Sequence, residues 1–165
     1  MSPIAKYFNG EKAESYVFIS LGIVALLVAF YFFFTLKTPF WKGVAIPFAI
    51  AALLELIVGY TIINRSPKDI ERVENYTLQE PHNIKAVEMP RMEKVMRNFV
   101  IFRYTEILLI MVGICLMYSS MKSGFWQGLG LGLFTQASIV LCLDFFAERR
   151  GNAYFEYLKL AASIL

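Results

Sequence analysis

Four apolar runs dominate the chain, at about 16–36, 44–63, 104–121 and 125–146, and the segments between and beyond them are polar or mixed. Each run holds about twenty residues, and a helix of about twenty residues crosses a hydrocarbon layer about 30 Å thick. The expected fold class is therefore an all-α integral membrane protein with four transmembrane helices. The first run closes on Tyr31-Phe32-Phe33-Phe34-Thr35-Leu36-Lys37 rather than on the small residues that suit a cleavage site, and it reads as a retained helix.

The turns between runs carry a repeat. Lys37-Thr38-Pro39-Phe40-Trp41-Lys42-Gly43 joins the first pair, and Lys122-Ser123-Gly124-Phe125-Trp126-Gln127-Gly128 joins the second. One helical hairpin occurring twice accounts for both, giving a 2+2 arrangement within a single membrane domain over 1–165. Its parts are a first hairpin at about 16–63, a connection at about 64–99, a second hairpin at about 100–146 and a tail at 147–165.

Short amphipathic helices are expected outside the spans. Ser66-Pro67-Lys68-Asp69 reads as an N-cap and first turn, followed by Ile70, Val73 and Tyr76 at helical spacing. Glu80-Pro81-His82-Asn83 ends that helix, and Pro90 starts the next. From Arg91 the helical pattern runs unbroken to Met121, with Met92, Met96, Phe99 and Val100 as an apolar stripe before the span begins. Beyond Gly151, Tyr154, Leu158, Ala161 and Leu165 share a face, as in a helix lying on the membrane surface. Tyr7, Phe8 and Tyr16 are expected to rest at the interface.

Charge supplies an orientation. Lys37, Lys42 and Lys122 are the basic residues of the two turns, and every other Lys and Arg lies before the first run, between 64 and 103, or after Asp144. The positive-inside rule then places both termini and the central connection in the cytoplasm of a plasma membrane, of the bacterial inner-membrane type. The turns face outward, with Phe40, Trp41, Phe125 and Trp126 as an interfacial aromatic belt. A net charge of +3 with acids interspersed among the bases argues against nucleic acid as a partner. Cys115 and Cys142 sit at depths about 15 Å apart, so they read as small packing residues and not as a disulfide. His82, alone in a loop, makes no metal site.

Candidate chemistry concentrates in the inner half of the spans. Glu55 lies about 18 Å inward from Gly43, near the midplane, where a charged side chain costs at least about 2.5 kcal/mol. It reads either as a proton- or cation-handling group or as a hydrogen-bonder locking two helices. Gln136 on helix four sits at similar depth and is the expected donor to it. Gly124, Gly128 and Gly132 give helix four a small-residue face for close helix approach. Arg103 and Glu106 lie one turn apart on helix three, and Arg103 matches the depth of Asp144, so Arg103 is expected to pair either with Asp144 between helices or with Glu106 along its own helix.

No nucleotide-binding loop, nucleophile elbow or metalloprotease motif is present, so no enzyme, cofactor or metal is expected. The expected function is that of a non-catalytic polytopic protein bound by helix–helix association to another membrane component: a complex subunit, an assembly factor or a toxin-protecting protein. Its partners are then the bilayer and either further copies of itself or another membrane protein. The alternative is a small oligomeric channel or proton-coupled transporter built around Glu55.

Overall fold

The computed structural model describes residues 2–118 and 124–164. They form four long helices: α1 (Pro3–Tyr31), α2 (Pro39–Leu78), α3 (Met89–Met117) and α4 (Gly124–Ile164). Lys122 and Ser123 of the second turn, and Leu165 of the expected tail face, lie outside the described residues. All four helices are long and apolar enough to cross a membrane, so the chain is an all-helical protein with four candidate spans.

Local sequence explains where the helices begin and stop. Ser2 caps α1 by accepting from the Ala5 amide at 3.1 Å, and Thr38 caps α2 by accepting from the Trp41 amide. Each cap is followed at once by Pro, whose fixed φ suits a first turn. α1 closes through a π-helical turn, Phe32–Leu36, onto Lys37 in the left-handed region with φ of 57°. That residue reverses the chain within a very short connection.

α1 packs along α2, α3 along α4, and α2 along α4, while α1 also lies against α4 over a shorter stretch. α2 and α4 therefore form the middle of the molecule, flanked by α1 and α3. α2 has 40 residues and α4 has 41. At about 1.5 Å per residue each is about 60 Å long, twice the hydrocarbon thickness. The excess emerges on the side of the termini, opposite the turns.

That excess differs from the expected short surface helices. Ser66-Pro67 starts no new helix, because α2 runs through it unbroken to Leu78. Pro67 withholds one backbone donor, but Ser66, Asp69 and Val73 are buried in tertiary contacts. Asp69 also receives both Arg65 and Arg72 of the same helix. Packing outweighs the missing hydrogen bond. The expected break at Glu80–Asn83 does occur, and Pro90 does stand in the first turn of α3, though a π-helical turn, Ile84–Glu88, precedes it.

The tail likewise continues α4 through Gly151. A side chain at Gly151 would meet the Met96 sulfur at 3.2 Å, so glycine there lets α3 approach. Tyr154, Leu158 and Ala162 then face the protein and not a membrane surface. They pack with Ile4, Tyr7, Phe8, Val73, Ile84 and Met92 in one core drawn from all four helices. Tyr7 and Phe8, expected at the interface, are buried in it, while Tyr16 remains exposed. Met92 of the expected stripe on α3 is fully buried, and Val100 stays outside.

Candidate functional site

Within the apolar layer the helices meet through small residues. α1 contributes Gly22, Ala25 and Ala29, and α2 contributes Ala52 and Gly59, all buried. A side chain at Gly59 would meet the Ser15 carbonyl oxygen at 2.9 Å, and one at Gly22 the Ala52 carbonyl oxygen at 3.1 Å. Lipid tails are as apolar as leucine, so burying large apolar groups gains little here, and close van der Waals contact has to hold the helices together.

The expected glycine face of α4 is turned inward, onto the first hairpin. A Cβ at Gly128 would fall inside the Phe40 carbonyl oxygen, and one at Gly132 would lie 2.8 Å from the Val44 carbonyl oxygen. Gly124 is different, since its nearest neighbour, Phe40 Cβ, would be an ordinary 3.6 Å away. The contact is reciprocal: Gly43 makes room for the Phe125 carbonyl oxygen as Gly128 does for that of Phe40. On the other side of α4, Gly130 and Gly113 face each other, each leaving space for the other's carbonyl oxygen. The spacing of Gly124, Gly128 and Gly132 pointed to this seam. Gly22, Gly59 and Gly113 stand singly in apolar runs and offered no such signal.

The turn aromatics take part as well. Phe40 meets Trp41 edge-on at 5.1 Å, and Phe125 meets Trp126 edge-on at 5.7 Å, both pairs at an interplanar angle of 83°. Trp41 also packs on Phe32 at 4.5 Å, which ties the turn to the end of α1.

The intramembrane polar residues are only partly brought together. Glu55 is 5 % exposed and Gln136 is 5 % exposed, but both Glu55 carboxyl oxygens are without a hydrogen-bond partner, so the expected donation from Gln136 is not made. Depth matched the two, but depth leaves out azimuth: the Glu55 side chain starts against Gly22 of α1. Arg103 is likewise paired with neither Asp144 nor Glu106, because it donates to Glu148, one turn nearer the termini than Asp144. A long guanidinium at the edge of the apolar layer extends toward water, so its partner lies outward of its own Cα. Asp144 instead lies beside Glu106 across α3 and α4, so two acids share one site there.

A second polar cluster, which sequence spacing did not reveal, lies in the extension. Glu88 is fully buried and accepts two hydrogen bonds from Arg91, at 2.6 and 2.9 Å, and a third from the Tyr154 hydroxyl at 2.9 Å. The Arg91 guanidinium sits 5.5 Å from the centre of the Phe8 ring. Tyr7 stacks on Tyr154 at 4.2 Å and donates to Glu11 at 2.7 Å. One buried carboxylate thus links α3 to α4, and its two donors reach α1 through the Tyr7 and Phe8 rings. At the base of the extension Arg150 crosses Gly10 to reach Glu14, where a side chain on Gly10 would collide with it.

Comparison with protein-family models, curated proteins and solved structures gave no match. Among the described residues no group of His, Cys, Asp and Glu is placed to hold a metal ion. Chemically, the arrangement offers one isolated carboxyl near mid-span, one acid–acid pair near the boundary on the side of the termini, and an ion-paired bundle beyond it.

Proposed function

We propose that this is a non-catalytic polytopic membrane protein that acts by associating with another membrane component, as a complex subunit, an assembly factor or a protein that protects against a membrane-active toxin. The observation that carries this reading is where the protein invests its packing. Phe8, Met92, Leu158, Glu88 and Val73 are the largest fully buried side chains, and all lie beyond the apolar runs. At about 1.5–3 kcal/mol for each fully buried large apolar side chain, this core stabilises a bundle that membrane anchoring alone does not require. The bundle also presents apolar side chains outward, with Leu78 82 % and Leu160 66 % exposed. Leu78 and Leu160 are exposed apolar positions of that bundle from which a docked partner would be reached.

The distribution of Lys and Arg supports a cytoplasmic setting for this bundle and for both termini, in a plasma membrane of the bacterial inner-membrane type. The matching turns, and the reciprocal contacts of Gly43 with Phe125 and Gly128 with Phe40, support an internal repeat about a pseudo-twofold between α2 and α4. With α2 and α4 in backbone contact there, the centre of a single chain leaves little room for a water-filled path.

The test is site-specific photo-crosslinking in native membranes from position 78 or 160. The expected outcome is one discrete adduct shared by both positions, either a second copy of this chain or another membrane protein. Absence of any adduct, with the protein extracted as a lipid-solvated monomer, would count against the reading.

A second reading, a small oligomeric channel or proton-coupled transporter, rests on the Glu55 carboxyl oxygens, buried and unpartnered. If Glu55 is structural dead weight, Glu55→Gln removes a costly charge and leaves thermal stability in detergent equal to wild type or raised, by up to about 2–3 kcal/mol on insertion scales. A marked loss of stability would show that the carboxylate is needed in the packed protein.

A further inference from the structure

A groove of about 710 Å³ opens between α3 and α4 where the apolar runs give way to the extension. Its wall carries Phe145 and Phe146, 60 % and 62 % exposed, and its rim carries both signs of charge: Arg103 and Arg149 with Asp144 and Glu148. Arg103 is engaged with Glu148, whereas Arg149 is exposed and makes no ion pair among the described residues. We propose that this groove holds a phospholipid with a primary-ammonium headgroup, a phosphatidylethanolamine, from the leaflet on the side of the termini.

The chemistry selects that headgroup over its neighbours. A guanidinium matches phosphate oxygens with parallel N–H donors, so Arg149, helped by Arg103, takes the phosphate. Glu148 keeps 19 % of its side chain exposed beside Arg103, and that carboxylate disfavours a headgroup that brings only negative charge. It suits a primary ammonium, which donates up to three hydrogen bonds, while a choline nitrogen has no N–H to give. Phe145 and Phe146 lie about one turn from Glu148 and Arg149 toward the apolar run, so an acyl chain leaving a headgroup held there passes over their rings. The inference does not depend on the partner-binding reading, since a lipid can occupy the groove whatever the bundle contacts.

Thermal unfolding of the purified protein in detergent tests it, with added phosphatidylethanolamine, phosphatidylcholine or phosphatidylglycerol of identical acyl chains. The ethanolamine lipid is expected to raise the midpoint by several degrees more than the other two. In Arg149→Gln, which should match wild type without added lipid, that advantage should fall by at least half. Equal shifts for all three lipids, a larger shift with phosphatidylglycerol, or an undiminished advantage in Arg149→Gln would overturn the proposal. Native mass spectrometry of the wild-type protein reads the same selectivity without a variant: preferential retention of phosphatidylethanolamine supports the site, and indifferent retention contradicts it.

Discussion

Gly128→Ala is expected to destabilise the purified protein by about 2–3 kcal/mol, whereas Gly124→Ala leaves it within about 0.5 kcal/mol of wild type. The two glycines lie one turn apart on α4 and would look equivalent in any count of small residues. Their surroundings differ. At Gly128 the added methyl would fall inside the Phe40 carbonyl oxygen, a backbone atom with no rotamer to escape into, so α4 has to move away from α2. Alanine favours a helix over glycine by about 1 kcal/mol, which offsets only part of that cost. At Gly124 the methyl meets the Phe40 side chain at an ordinary 3.6 Å. Gly43→Ala should behave like Gly128→Ala, because it faces the Phe125 carbonyl oxygen in the same way. Unfolding titrated with a denaturing detergent measures all three; equal effects at 124 and 128 would mean that α2 and α4 are not in backbone contact.

Glu88→Ala is expected to cost about 3–5 kcal/mol and to loosen the extension while leaving the spans in place. The carboxylate is fully buried, and its removal strands the Arg91 guanidinium and the Tyr154 hydroxyl without their acceptor. Glu88→Gln retains an acceptor oxygen for one donor but loses the charge, so it should fall between alanine and wild type. Tyr154→Phe removes a single hydrogen bond to a charged group and should cost about 1.5–3 kcal/mol. By contrast, disrupting the partly exposed Arg103–Glu148 pair is worth about 1 kcal/mol or less. Hydrogen exchange localises the Glu88 effect: amides of Ile4–Phe8 and Tyr154–Leu158 should lose protection while those around Gly22 and Gly113 keep it. Uniform loss across the spans would show that extension and membrane layer unfold as one unit.

What could be read in advance follows from which forces act within one segment. The four spans were legible because a helix in lipid must satisfy its own backbone and be apolar over a fixed length, a constraint written in each run separately. The turns at Thr38-Pro39 and the glycine seam at Gly128 and Gly132 were legible for the same reason. Continuity through Ser66-Pro67 and Gly151 was not. Both places carry ordinary stop or start signals, and only the burial of Val73, Tyr154 and Leu158 against other helices overrides them. Glu88 lies between Pro81 and Pro90 in what reads as a connection, so nothing nearby hints that it is the most buried acid of the chain. The site residues show the same division. The depths of Glu55, Gln136, Arg103 and Asp144 followed from counting residues, but their partners depended on azimuth and on side-chain reach, which counting does not contain.

The Glu55 carboxyl is where the association and transport readings separate. It lies in the seam with α1, against Gly22, with both carboxyl oxygens buried and without a hydrogen-bond partner. Proton flux into liposomes reconstituted with the wild-type protein and with Glu55→Gln, driven by an imposed pH gradient and potential, tests this most directly. The association account predicts flux no greater than in protein-free liposomes for both forms. Flux through the wild type that disappears in Glu55→Gln would contradict it.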